Sequence, residues 1–267
     1  MNTAGLIKNM YETRIIEANT LAEAWEKSCV LMMREGHIRY VQAPEYQIET
    51  RDLPLFIKVK EPFQEPRISD KANATRALAD EYVKKFLEGS GKENENNFDY
   101  TYFSRLRCYP DCKVRAFLPS FSDSDEELAE AVRKISPDGK CVVQRIDQVE
   151  KAIAILKKDP TRRTVVMHTW IPFRDLMKFG PKRENSSSPC VLLFYPQLVD
   201  GKLHMFVVMK TNDLYNAWPE NAYAFTALQK YMAEQLGVET GTYTHFAVSM
   251  QIYKDMYEEA KQKFNLG

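Results

Sequence analysis

Apolar residues recur at helical spacing from Leu21 onward, through Ala22, Trp25, Cys29 and the Met32/Met33 pair, and Gly36 follows. That pattern predicts a helix over 21–34 that stops at the glycine. The stretch 40–60 carries strand-like pieces, Tyr46-Gln47-Ile48-Glu49 and Leu55-Phe56-Ile57-Lys58-Val59, and 75–87 predicts a second helix. Residues 88–97 form a polar, Gly/Asn-rich loop. A capped helix start is expected at 122–127, interrupted by the Ile-Ser-Pro-Asp-Gly-Lys run at 135–140. The strongest periodicity lies at 147–158, where Val149, Ile153, Ile155 and Leu156 make one stripe and Pro160 ends it.

The second half of the chain reads differently. A strand is expected at 163–170, and a Gly/Pro/Asn/Ser-rich loop at 179–188. Apolar strands at 191–197 and 203–209 flank Asp200-Gly201, a hairpin signal. A long amphipathic helix is expected over 221–236, stopped by Gly237, then a strand at 243–251 and a charged terminal helix. The sum is an α+β fold: one domain over 1–267, with a mixed, mainly antiparallel sheet flanked by helices.

Composition narrows the partners. The 267 residues are 44% hydrophobic, and 37 Lys+Arg balance 37 Asp+Glu. No global basic field points to nucleic acid, so any anion recognition must be local. No apolar run reaches membrane-spanning length and the first residues lack a signal-peptide core, so a cytoplasmic protein with no membrane partner is expected. The five cysteines are odd in number and scattered. Cys108 and Cys112 lack a second ligand pair at zinc spacing, so neither disulfides nor a metal are expected.

Four segments carry candidate chemistry. Cys190 follows Ser188-Pro189 at a loop-to-strand junction, where a thiolate could add to an electron-poor carbon. Arg162-Arg163 sits after the Pro160-Thr161 turn, and paired guanidiniums suit a phosphate dianion. Lys210-Thr211-Asn212-Asp213 leaves a strand with a cation, a hydroxyl, an amide and a carboxylate. Asn221 follows Trp218-Pro219-Glu220, and its amide can pair with a pyrimidine edge. Each has a plain structural reading too: a buried thiol, a solvated turn, a polar strand exit, a helix N-cap. A thiol enzyme with His168, His204 or His245 as base is a further alternative, though none of these lies in a recognisable motif.

Taken in order, these residues resemble the thymidylate synthase and pyrimidine nucleotide hydroxymethylase family. The resemblance runs from Asp147-Gln148 through Pro160 to Arg163 and Trp170, then Pro189-Cys190, Asp213, Pro219, Asn221 and Ile252-Tyr253. The segment 100–107 and the first helix with Gly36 fit more loosely. The resemblance implies a thymidylate synthase-like fold and a homodimer acting on a pyrimidine nucleoside monophosphate. Cys190 would add to C6, and C5 would then take a one-carbon unit from 5,10-methylenetetrahydrofolate. Arg162 and Arg163 would reach the phosphate in the partner subunit's site, where Lys210 and Thr211 also bind it. Asn221 would read the base, Gln251 and Tyr253 would line the nucleotide, and Asp213 would orient the folate. A glutamate is implied as proton relay, and Glu81 is the nominee.

The departures from the family are specific. Val191 and Gln251 stand where its synthases usually carry histidine, Lys210 stands for arginine, and the apolar tail expected to close over the folate is missing after Lys263. Without that closure water should reach the reacting carbon, so the expectation leans to hydroxymethylation over reductive methylation. A nucleotide-binding member without turnover is the other alternative.

Overall fold

The structure is a computed structural model that describes residues 11–43, 46–90, 100–109, 146–175 and 188–266. The expectations for 91–97, 122–127, 135–140 and 179–187, and for Cys112 and Cys141, lie outside the described residues.

A short strand, β1 (Arg14–Ala18), leads into α1 (Leu21–Glu35). Thr20 caps that helix by accepting from the Glu23 amide, and Gly36 closes it. A side chain at Gly36 would meet the Met32 carbonyl at 2.5 Å and Arg51 Cβ at 2.8 Å, so the chain can turn there only with glycine. The hairpin β2 (His37–Ala43) and β3 (Tyr46–Val59) follows, then α2 (Arg76–Glu88) and α3 (Tyr102–Arg107). Next come α4 (Gln148–Lys158), β4 (Met167–His168) and the single turn α5 (Pro172–Asp175). The chain ends in β5 (Val191–Val199), β6 (Lys202–Asp213), α6 (Trp218–Leu236), β7 (Glu239–Tyr253) and, after a 3₁₀ turn, α7 (Tyr257–Phe264).

The strands form one mixed sheet in the order β1-β3-β7-β6-β5-β4, with β2 pairing the first half of β3. The β1–β3 and β6–β7 pairs are parallel and the others antiparallel, as the α+β expectation requires. Each parallel pair encloses a helix, α1 or α6, because parallel neighbours need a crossover. The Asp200-Gly201 turn holds both residues at positive φ, 50° and 73°, the geometry of a tight hairpin.

Side chains alternate across the sheet. Ile57, His245, Val207, Phe194 and Met167 stand in one row, all buried beneath the helices. Trp25, Met32, Phe225 and Met232 of α1 and α6 fill that side of the core. The adjacent row, Ile15, Phe56, Phe246, Val208 and Leu193, faces the other way and is partly exposed throughout. Among the described residues no helix covers this second face, and none is long and apolar enough to cross a membrane.

Two expectations need correction. Of the strand expected at 163–170, only Met167–His168 pairs. The Val166 amide turns back to the Thr164 carbonyl, and the Arg163 carbonyl accepts from the Tyr195 hydroxyl at 3.0 Å, so these groups leave the ladder. The helix expected from 221 starts at Trp218, with Pro219 in its first turn where a missing N–H costs nothing. Asn221 is therefore no N-cap, and its own amide donates to the Ala217 carbonyl.

The edge beside β4 is fixed by a buried ion pair. Arg105 and Asp175 are fully buried, with Nη2–Oδ1 at 2.8 Å and Nη1–Oδ2 at 3.1 Å. Arg105 Nη1 also donates to the Thr169 carbonyl, and the Ile171 amide donates to Asp175. Gln148 adds a staple, donating to the carbonyls of Arg105 and His168 and accepting from the His168 amide. Helix α3 is thus locked where its first residue, Tyr102, meets the start of β5.

Candidate active site

Cys190 immediately precedes β5, half-buried, and its carbonyl accepts from the Lys210 amide at 2.8 Å. That bond lays the end of β6 beside the thiol. The Thr211 hydroxyl donates to Cys190 Sγ at 3.5 Å, and Lys210 Nζ donates to Ser188 Oγ at 2.6 Å while lying over the Trp170 ring. Three tyrosines wall the opposite side. Tyr102 accepts from the Val191 amide, Tyr100 donates to the Ser188 carbonyl, and Tyr82, on α2, stands near both. Burial first, with the Cys190 charge as a further cause, pushes all three phenols above their ordinary range.

Asn221 points its amide into this cluster and is held at both ends. Its Oδ1 accepts from the Tyr82 hydroxyl at 3.2 Å, and its Nδ2 donates to Asn212 Oδ1 at 3.3 Å. Asn212 Nδ2 then faces His245 Nε2 at 3.3 Å, and His245 Nδ1 meets the Tyr243 hydroxyl at 2.8 Å. Because Asn212 Nδ2 is a donor, the pattern assigns the bare nitrogen of His245 to Nε2 and its proton to Nδ1. A protonated imidazole would present N–H to N–H. Burial in the apolar row agrees, driving His245 down to about 3 from 6.5.

This neutral histidine predicts an acid sensitivity. The unfolded chain takes up a proton near pH 6.5 that the folded chain refuses until about pH 3. Its stabilising contribution is therefore whole above 6.5 and is lost as pH falls. Between pH 7 and pH 5 the loss is about 2 kcal/mol. Urea unfolding of wild type and His245→Gln at both pH values checks this: the drop should be larger in wild type, and equal drops would refute it.

Where β6 and β7 run side by side, Asp213 aligns with Gln251 and Thr211 with Ser249. Asp213 accepts from the amides of Tyr215 and Asn216, yet burial outweighs them and raises its carboxyl. Gln251 donates to the Tyr253 hydroxyl at 2.7 Å. Ser249 donates to Asp52, a buried carboxylate that also receives Arg39 at 3.0 Å and the Tyr11 hydroxyl at 2.6 Å. These lead from the thiol along the sheet to a second cation, Arg39.

The structure thus brings Cys190, Lys210, Thr211 and Asn221 together, with Asp213, Gln251 and Tyr253 at the adjoining strand ends. It leaves Glu81 out. That side chain faces solvent on α2 and pairs with Lys85 at 2.6 Å. One residue along, Tyr82 turns inward, since each step rotates a helical side chain by about 100°. Arg162 is exposed and pairs loosely with Asp159 at 3.7 Å. Arg163 is exposed as well, but Tyr195 ties its backbone to the uncovered side of the sheet. Sequence reasoning missed Tyr82, named Asn212 only as part of the Lys-Thr-Asn-Asp run, and named His245 only as an alternative base. Nothing local marked Tyr82 or the link between Asn212 and His245.

The chain is 27% identical over 267 residues to a protein of Methanosarcina mazei named "Putative thymidylate synthase", covering 97% of this chain and all of the relative. A protein of the same name from Methanosarcina barkeri is 26% identical over 255 residues, covering 94% of this chain and 96% of the relative. A thymidylate synthase of Corynebacterium aurimucosum is 31% identical over 130 residues, 49% of this chain and 44% of the relative. The thymidylate synthase family model matches residues 71–265. That span is well over half of the chain and holds every nominated residue, so the chain belongs to the thymidylate synthase family, transferases that carry a one-carbon unit from methylenetetrahydrofolate to a pyrimidine nucleoside monophosphate.

Proposed function

We propose that this protein is a thymidylate synthase that methylates C5 of deoxyuridine 5′-monophosphate, working as a cytoplasmic homodimer with 1–267 as one catalytic domain. The observation that carries the reading is the clamped amide of Asn221. Held by Tyr82 and Asn212, it cannot flip freely, so it serves one order of donor and acceptor on a pyrimidine edge and disfavours the other. The name borne by the full-length relatives supports uracil as the favoured base.

Cys190 adds its sulfur to C6, with the Thr211 hydroxyl beside it to orient the thiol. Lys210 and Thr211 take the phosphate, Gln251 and Tyr253 the sugar side, and Asn221 the base. Asp213 suits a pterin: its carboxylate is half-buried, one oxygen is committed to two backbone amides, and the other has a single long contact to Asn216 at 3.4 Å. The folate supplies the one-carbon unit and, for methylation, the hydride. A nucleophilic thiol must stay reduced, which supports the cytoplasm.

The uncovered apolar row from Ile15 to Leu193 supports a homodimer, because a contiguous apolar face of that kind suits a subunit contact. The Arg163 carbonyl is tied to Tyr195 on that side of the sheet, and both guanidiniums are exposed, which would let them serve a partner's phosphate.

Hydroxymethylation is the second reading, favoured by Val191 and Gln251 where the family's synthases carry histidine. Tritium release from [5-³H]-labelled dUMP, dCMP and CMP with methylenetetrahydrofolate, followed by product mass, separates the two. Gain of CH₂ on dUMP is the expected result. Gain of CH₂O would establish the second reading, and no release from any nucleotide would defeat both.

A further inference from the structure

Behind Asn221 runs a chain of polar side chains. The Tyr82 hydroxyl meets Asn221 Oδ1 at 3.2 Å, and Asn221 Nδ2 meets Asn212 Oδ1 at 3.3 Å. Asn212 Nδ2 meets His245 Nε2 at 3.3 Å, and His245 Nδ1 meets the Tyr243 hydroxyl at 2.8 Å. Asn212, His245 and Tyr243 are buried. A hydrogen bond needs one donor and one acceptor, so the direction of any link fixes all the others. The chain can run only one way or the other. In one direction Asn221 turns Oδ1 toward Tyr82, and in the other it turns Nδ2 there. Either way one lone pair and one N–H of this amide are left for a ligand, but in exchanged places. Uracil and cytosine offer opposite orders of donor and acceptor at N3 and C4, so the direction of the chain decides which base is paired.

Every member of the chain can serve both directions. The two hydroxyls donate or accept, the two amides can turn over, and a neutral imidazole moves its proton between its nitrogens. The choice needs a group that works one way only. Among the described residues Met209 is that group. Its buried thioether, three residues before Asn212 in β6, lies 3.2 Å from Asn212 Nδ2 and can only accept. With Asn212 turned over, its carbonyl oxygen would face the sulfur, acceptor against acceptor.

We propose that Met209 sets the base preference of this site: its sulfur fixes the direction of Asn212, and through it the order of donor and acceptor that Asn221 offers. The inference rests on the nucleotide reading above and names what makes that site choose between pyrimidines. Met209 is a positioning residue, acting on the base only through two amides.

The test is the ratio of the dissociation constants for dUMP and dCMP, measured by equilibrium dialysis on wild type, Met209→Leu and Met209→Leu/Asn212→Asp. Partial unfolding does not disturb this ratio, because a smaller competent fraction weakens both nucleotides equally. Wild type should prefer dUMP. Met209→Leu nearly conserves volume but offers no acceptor, and the preference should shrink by roughly threefold to tenfold, the worth of one neutral hydrogen bond. Adding Asn212→Asp imposes the direction again. The carboxylate accepts from Asn221 on one side and from His245, now protonated at Nε2, on the other, so the preference should return. A merely structural role for Met209 gives no such rescue. An unchanged ratio in Met209→Leu, a double variant no better than the single one, or a wild type that binds both nucleotides alike would overturn this proposal and leave the nucleotide site standing. Failure of the wild type to bind either nucleotide would overturn both.

Discussion

Cys190→Ala should abolish release of the C5 proton while leaving the nucleotide bound. The expected fall is on the order of 10⁴-fold or more, the scale seen when the nucleophile of a preorganised site is removed. Neither of its neighbours can replace the sulfur. Thr211 offers a hydroxyl at 3.5 Å, but an alcohol lacks the nucleophilicity of a thiolate at neutral pH. Lys210 is engaged with Ser188 and Trp170. Binding should persist, because the phosphate and base contacts proposed above come from other side chains. The half-buried thiol contributes one weak hydrogen bond, so stability should change by less than about 1 kcal/mol. Equilibrium dialysis with dUMP and tritium release, run on the same preparation, give both quantities. Exchange in Cys190→Ala near the wild-type rate would remove the thiol from the chemistry.

The second large effect is on stability. Asp175→Asn should destabilise the fold by about 3–5 kcal/mol, the cost of stranding a buried charge. Arg105 and Asp175 are both fully inaccessible, and the carboxylate also accepts from the Ile171 amide. Removing its charge takes away the carboxylate that holds both Nη atoms of a buried guanidinium. A domain holds only some 5–15 kcal/mol in total, so the variant should populate partly opened forms. The double variant Arg105→Met/Asp175→Leu should recover most of the loss, since two apolar side chains carry no stranded charge. Urea midpoints of the three proteins decide it: a double variant no better than Asp175→Asn would refute the charge explanation. Activity should fall with stability in the single variant, because Tyr102 at the start of α3 and Tyr100 just before it reach the chain on either side of Cys190.

Much of the fold was readable wherever local chemistry decides it. Gly36 marks the end of α1, and Asp200-Gly201 marks the β5–β6 turn, because helix stops and positive-φ turns depend on single residues, whereas the Thr20 cap went unread. The Arg-Ile-Ile-Glu-Ala strand β1 went unread, being five residues long and defined by its partner β3. Arg163 to Val166 looks like strand yet is not, since a tyrosine from β5 takes one of its carbonyls. For the site, the order Cys190, Lys210, Thr211, Asp213 and Asn221 was legible, because the ends of β6 and the start of α6 are close in sequence. The hydrogen-bond chain behind Asn221 was not. Glu81 and Tyr82 differ by one helical step, and only packing decides which turns inward. Asn212 and His245 stand 33 residues apart, so their hydrogen bond had no local signature.

The β6–α6–β7 crossover has an evolutionary corollary. The proposed roles of Lys210 and Thr211 at the phosphate, Asn221 at the base and Asp213 at the pterin all hang from one uninterrupted stretch, Lys202 to Tyr253. Insertions or drift in the earlier half can reshape the rim of the cleft while the spacing among these groups stays fixed by strand register. Homologues should therefore diversify most readily ahead of this stretch, and a transplanted Lys202-to-Tyr253 cassette should carry its nucleotide preference into a related scaffold.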